Sequence, residues 1–275
     1  MIEDYEIMQV DNANASIVQL DSIERANVDS QIATAKQYPR DIKRALQNSI
    51  AMATLDEDTA RSMSYALPRG GKPITGPSVH LAKLVVSNWG NIRAEAKVVQ
   101  ITDSQVVSRG TCWDLENNVA TAFEVRRSIK GKNGRFSDDM ITVTGNAANA
   151  IAFRNAVFAV IPKAITEKVS KAVQEYITGD MSDENKLIVR RKKCLDFFHD
   201  EYGIDEDMVV KICGKQTINQ IKATEIQFLI GVQQALKDGD TTVDDLLAPY
   251  RPKAKETNEQ DINPAQDLFN LQEEK

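Results

Sequence analysis

Between Ile92 and Ile129 the chain alternates apolar and polar residues three times over, and an alanine-rich segment follows. Few folds accommodate that order. In the first run Ile92, Ala94, Ala96 and Val98 alternate with Arg93, Glu95 and Lys97, the two-residue period of a half-buried strand. Val106–Leu115 and Val119–Ile129 repeat the pattern around Glu116-Asn117-Asn118, a hairpin-type turn built from residues that tolerate positive φ. In the third run Val119, Thr121, Phe123 and Val125 share a face with Arg127, and Ala120, Ala122, Glu124 and Arg126 share the other. The reading is an antiparallel meander with one buried face. Gly145 then precedes a helix from Asn146 to Ile161, halted at Pro162. Its alanines at 147, 148, 150, 152 and 156 let it lie close against a sheet. The expected class is α+β: a three-stranded or slightly larger antiparallel meander packed by a long helix.

The flanks read as helical. Residues 1–25 lack a sustained period and are expected to form a flexible arm. Asp41 caps a helix carrying Ile42, Ala45, Leu46, Ser49 and Ile50 on one face, and a short helix follows from Glu57 to Ala66. Three prolines and three glycines make residues 66–77 a turn-rich loop. Ser78 then caps a helix that Gly90 ends. Residues 26–178 form one α+β core on this reading. A shift in composition at 179–185 marks a linker, and helices within 186–248 form a small unit of their own. Residues 249–275, rich in Pro, Gln, Asn and acids, form a disordered tail.

Charge is segregated. The net charge of −6 divides into −5 over residues 1–68, +7 over 69–172 and −8 over 173–275. A basic middle between acidic flanks is compatible with nucleic acid despite the acidic total. No apolar run reaches the eighteen residues of a membrane span, and the acidic first residues are unlike a secretory signal. Cys112, Cys194 and Cys213 form no C-x-x-C pair, which points to a reducing cytoplasm and no zinc.

Motifs for bond-making chemistry are sparse. Arg69-Gly-Gly-Lys72 fails the spacing of a phosphate loop, and Pro73 stands where a magnesium-binding hydroxyl belongs. A metal-dependent nuclease needs clustered carboxylates. Asp114, Glu124, Asp138 and Asp139 are the candidates, but Glu124 lacks the lysine expected two residues on, and cross-strand ion pairs explain the spacing better. The reading is therefore of a protein that is not an enzyme and needs no cofactor or metal.

Cations are more informative. Arg126, Arg127, Lys130, Lys132 and Arg135 place five positive charges within ten residues, with glycines between them, as phosphate contacts require. Arg69, Lys72, Arg109 and Lys163 extend the set. Arg154 sits within an Ala/Phe/Val helix, so it meets either a carboxylate such as Glu124 or a ligand groove. Trp89, Trp113 and Phe123 are stacking candidates whose spacing also suits a core.

The segments Ala66-Leu-Pro-Arg-Gly-Gly-Lys72, Ile74-Thr-Gly-Pro-Ser78, Trp89-Gly90, Cys112-Trp-Asp-Leu-Glu116, Glu124-Val-Arg-Arg127 and residues 137–146 (SDDMITVTGN) resemble a phage group found beside recombination genes. The order of helix, meander and alanine-rich helix resembles the single-strand annealing recombinases, the Rad fifty-two, Erf, RecT and Redβ superfamily. The resemblance covers residues 66–170. It implies an ATP-independent protein of a bacterial host's cytoplasm that assembles into rings or filaments and holds single-stranded DNA in a basic groove. Gly90 and Arg154 occupy the family's helix-ending glycine and groove-facing basic positions, although Asn155 stands where the family has a second basic residue. The tail residues Leu268 and Phe269 resemble, imperfectly, a sliding-clamp peptide. Single-strand binding protein and a recombination exonuclease are the other partners the resemblance implies. A nuclease of the same module and a DNA-binding adaptor that does not anneal are the alternatives.

Overall fold

The computed structural model describes residues 22–68, 74–131, 134–178 and 184–251. The chain enters through helix α1 (22–37), followed by α2 (Ile42–Ala53) and α3 (Glu57–Ser62). Strands β1 (Ser64–Leu67) and β2 (Ile74–Pro77) pair antiparallel, and α4 (Val79–Trp89) leads into β3 (Ile92–Ile101), β4 (Gln105–Asp114) and β5 (Val119–Ser128). The last three form an antiparallel sheet in the order β3-β4-β5. A short hairpin, β6 (Lys130–Gly131) with β7 (Gly134–Arg135), precedes α5 (Asp138–Val160) and α6 (Lys163–Thr178). The C-terminal part comprises α7 (Glu184–Tyr202), α8 (Glu206–Ile212), α9 (Ala223–Lys237) and α10 (Val243–Leu247). The α+β class and the meander packed by a long helix are as expected.

Local chemistry sets these boundaries. The carboxylates of Asp41 and Asp56 accept from the amides of Arg44 and Thr59, and the Ser78 hydroxyl accepts from His80 and Leu81. Each satisfies amides that a helix start leaves unpaired. Gly90 ends α4 at φ 71°, a left-handed value that disfavours side chains. Several boundaries differ from expectation: α1 already runs from residue 22, inside the segment expected as an arm, and α3 ends at Ser62 and not Ala66, because Ser64–Leu67 pairs as a strand. The loop expected at residues 66–77 is flanked by the β1–β2 pair, because Ser64–Leu67 and Ile74–Pro77 satisfy each other's backbone groups. The long helix begins at Asp138, eight residues early, with the Ser137 hydroxyl accepting from the amide of Met140. Gly145 therefore lies inside α5, where a Cβ would sit 3.2 Å from a Val98 methyl carbon.

The sheet turns one face to α5. Along β4, Val106, Ser108, Gly110, Cys112 and Asp114 are buried on that inner face. Gly110 allows the close approach: a Cβ there would collide with the carbonyl of Ala152 and lie 2.8 Å from the amide nitrogen of Phe153. A second contact of this kind joins the C-terminal helices to the rest. At Gly231, α9 crosses β1 so closely that a Cβ would lie 2.9 Å from both the Cβ and the nitrogen of Ala66. The C-terminal helices, read from sequence as a unit of their own, contribute Leu195, Phe198, Val209, Leu229 and Leu246 to the same apolar core as Ala45, Leu81, Val85 and Val157.

Gly110→Val is expected to destabilise the protein by about 1–3 kcal/mol or more, because neither backbone can yield without separating α5 from β4. A urea-unfolding midpoint unchanged by the substitution would refute this packing.

Candidate nucleic-acid interface

On the face of the sheet away from α5, register stacks the side chains in rows. Arg93, Trp113 and Ala120 form the first, Glu95, Thr111 and Ala122 the second, and Lys97, Arg109 and Glu124 the third. A bulge between Val98 and Gln100 then brings Gln100, Val107 and Arg126 into the fourth. Rows lie two residues apart, about 7 Å. Four cations face two carboxylates on this outer surface. Lys97, Arg109 and Arg126 are exposed and make no ion pair with any described residue. Arg93 is bridged at 3.0 Å by Glu24 of α1, which covers this end of the sheet.

The inner face treats its cations differently. Arg154 is buried, its Nη1 2.9 Å from the carboxylate of Asp240, with its guanidinium 4.2 Å from the centre of the Tyr65 ring. Arg127 donates to the backbone carbonyl of Asp240 at 3.2 Å. Asp240 lies in the turn after α9, and that turn is held again at Asp238 by His80 and Gln234, each 2.9 Å away. Burial pushes the Asp240 carboxyl up, and the charge of Arg154 and its hydrogen bond pull it back only in part. Of the two expectations for Arg154, the carboxylate is met, but the partner is Asp240 and not Glu124. Glu124 points to the opposite side of the sheet.

The sequence-selected cations thus do not converge into one channel. Arg109 and Arg126 share the outer face. On the inner one Arg154 is ion-paired with Asp240, and Arg127 is hydrogen-bonded to the Asp240 backbone. Lys130 is exposed on the β6–β7 hairpin at the end of β5, and Arg135 there donates to the carbonyl of Thr102 at 3.0 Å, with Asp103 3.7 Å away. Lys163 stands apart on α6, paired with Glu167 at 3.2 Å. Arg69, Lys72, Lys132, Leu268 and Phe269 lie outside the described residues. Sequence reading missed Lys97, whose signal was its cross-strand register with Arg109.

The aromatic candidates also separate. Trp89 is core, beneath the Arg40 guanidinium at 4.9 Å. Phe123 belongs to the inner face of edge strand β5, where it is 40% exposed. Trp113 alone is on the outer face, lining a cleft with Glu24, Arg25, Val28, Asp29, Arg93, Glu95 and Thr111.

The carboxylates considered for metal chemistry are likewise dispersed. Asp114 receives Arg40 at 2.5 and 2.7 Å, and the Arg40 Nε lies 3.1 Å from Glu116, which also accepts from Asn91. Burial raises the Asp114 carboxyl, but Arg40 and Asn117 outweigh it and hold the group below its ordinary range. Asp138 and Asp139 open α5, far along the chain from this network. Among the described residues, no group of three or more His, Cys, Asp or Glu is placed to hold a metal. Burial pushes the thiols of Cys112 and Cys194 to about 11 and that of Cys213 to about 12, so none is a thiolate near neutral pH. Among the described residues, no helix is long and apolar enough to cross a membrane.

No family model matches the chain, and neither a curated protein nor a solved structure is significantly similar to it.

Arg154→Ala is expected to cost about 3–5 kcal/mol by leaving Asp240 buried without its partner, a loss that chemical unfolding measures. The Arg40 network makes a separate claim about pH. The lowered Asp114 carboxyl contributes its stability in full above the unfolded value of about 4 and loses it as pH falls through the folded value. Stability of Asp114→Asn should therefore lie furthest below wild type at neutral pH and approach it below about pH 4. Parallel stability curves across that range would contradict the assignment.

Proposed function

We propose that this chain binds single-stranded DNA along the outer face of the β3–β4–β5 sheet and promotes strand pairing without ATP. The observation that carries the reading is the exposed group of Lys97 and Arg109 in the third row and Arg126 in the fourth, three cations that, with Glu124 as their one cross-strand acid, make no ion pair with a described residue. Leaving charge unpaired on a structured face favours an anionic ligand. Single-strand binding needs phosphate neutralisation along a track, and annealing needs the bases left accessible while the backbone is held. A sheet face supplies both, because its side chains stand on one side of the strand they hold. Lys130, beyond the end of β5, extends the track.

Support for annealing over simple binding comes from the resemblance of the motifs to the phage group found beside recombination genes and from the helix, meander and helix order shared with the annealing superfamily. Assembly into a ring or filament belongs to the same proposal: several weak tracks, one per subunit, would combine into tight binding. Contacts with single-strand binding protein, an exonuclease or the sliding clamp are assigned to the tail.

Arg109→Ala with Arg126→Ala is the direct test. The pair should weaken oligonucleotide binding and reduce the slope of log affinity against log salt by about 1.4, two phosphates' worth on a single strand. The same variant should lose acceleration of pairing between complementary strands in the absence of nucleotide. Unchanged affinity removes the sheet face from the interface. Binding by the wild type without acceleration of pairing favours the adaptor, and magnesium-dependent degradation of the oligonucleotide favours the nuclease.

A further inference from the structure

We infer that the cleft between α1 and the outer sheet face is a pocket for one unstacked nucleobase of the bound strand, with Trp113 as its stacking wall. The inference rests on the proposed single-strand binding and adds to it a site for the base. The cleft encloses about 540 Å³, within the range of small-ligand sites. Its floor is the first two rows of the sheet, Arg93 with Trp113 and Glu95 with Thr111. Its roof is α1, through Glu24, Arg25, Val28 and Asp29.

Charge decides what enters. Two guanidiniums against three carboxylates make the lining net negative, so a phosphate is repelled and a neutral, planar, hydrogen-bonding group is not. The phosphate has its own place one row further along. Lys97 and Arg109 stand directly beside Glu95 and Thr111, about 7 Å from them along the strands. A backbone held on Lys97 and Arg109 therefore carries its base to the mouth of the cleft. There Thr111 and Glu95 offer hydrogen bonds to the base edge, and Trp113 offers its ring. The Trp113 indole nitrogen is buried without an acceptor among the described residues, so the ring face and not its N–H is what the cleft offers a base. Alanines at 120 and 122, the cross-strand neighbours of Trp113 and Thr111, leave this flank low. The roof is lightly attached as well: within α1 only Ala35 is buried, and Val28 and Ile32 are partly so.

The chain contains two tryptophans, and Trp89 is 5% exposed beneath Arg40, so ligand-dependent emission reports on Trp113. The full chain is titrated with an oligothymidylate and with an abasic deoxyribose-phosphate oligomer of the same length. Binding is followed by anisotropy of a label on each oligomer. The thymidylate should quench Trp113 and shield it from acrylamide, whereas the abasic oligomer should bind without either effect. Trp113→Phe, which keeps a ring, should bind thymidylate without the emission change. Trp113→Ala should weaken thymidylate binding about ten-fold and leave the abasic oligomer unaffected. Equal affinity for the two oligomers, with Trp113 emission indifferent to both, would remove the base pocket and leave the cationic track standing. If neither oligomer binds, the track fails and the pocket fails with it.

Discussion

The buried carboxylate of Asp240 determines which side of the sheet has free positive charge. A guanidinium is costly to bury alone, and Arg154 is buried in the helix that packs on β4. Asp240 supplies the counter-charge, its backbone carbonyl receives Arg127, and the Tyr65 ring lies against the Arg154 guanidinium. These contacts join four distant parts of the chain: the turn after α9, the middle of α5, the end of β5, and β1. They also exhaust the cations of the inner face. On the outer face α1 brings Glu24 to Arg93, whereas Lys97, Arg109 and Arg126 make no ion pair with a described residue.

The Arg40 network acts at the other end of the sheet. Arg40 lies between α1 and α2, and its ligands Asp114 and Glu116 lie at the β4–β5 turn. Asn91, at the entry to β3, joins by donating to Glu116 and to the carbonyl of Tyr38. The exit of α1 is thereby fixed to the sheet, although the helix itself buries little. This is how a weakly packed helix can lie over Trp113 and Arg93 without a core of its own: its C-terminal end is anchored by charge, and Glu24 near its N-terminal end bridges to Arg93. Burial decreases along α1 from Ala35 toward the cleft.

Much of this fold was legible in the sequence because its signals are local. The two-residue period of β3, β4 and β5, the caps at Asp41 and Ser78, and the left-handed Gly90 each follow from neighbouring residues. The inner face was legible too, since Thr121, Val125 and Arg127 do turn toward the helix side. What escaped was set by partners far along the chain. Asp240 lies 86 residues from Arg154, in a segment whose local pattern says only that a helix has ended. Gly145 looked like a helix boundary because glycine lowers helix propensity. It lies inside α5 because Val98 presses on that position from the sheet. The β1–β2 pair was hidden by the prolines and glycines between its strands, which mark a turn without showing what the turn connects.

The same distinction explains the candidate site. A run of cations in sequence, such as Arg126-Arg127, is divided by the strand's alternation, one side chain to each face. Clustering along the chain therefore overstates the charge available at any one surface, while register understates nothing. Lys97 and Arg109 are twelve residues apart and adjacent in space, whereas Arg126 and Arg127 are adjacent in sequence and serve opposite ends: one is open to an anion, and the other is consumed by Asp240. On a meander, ligand-binding charge has to be counted across strands in rows. Counted so, the outer face grades from the mixed lining around Trp113 to the unpaired cations of the third and fourth rows. On the proposed reading, that gradient places a strand's backbone on Lys97 and Arg109 with one base at the cleft beneath α1, because the opposite placement would press a phosphate against Glu24, Asp29 and Glu95.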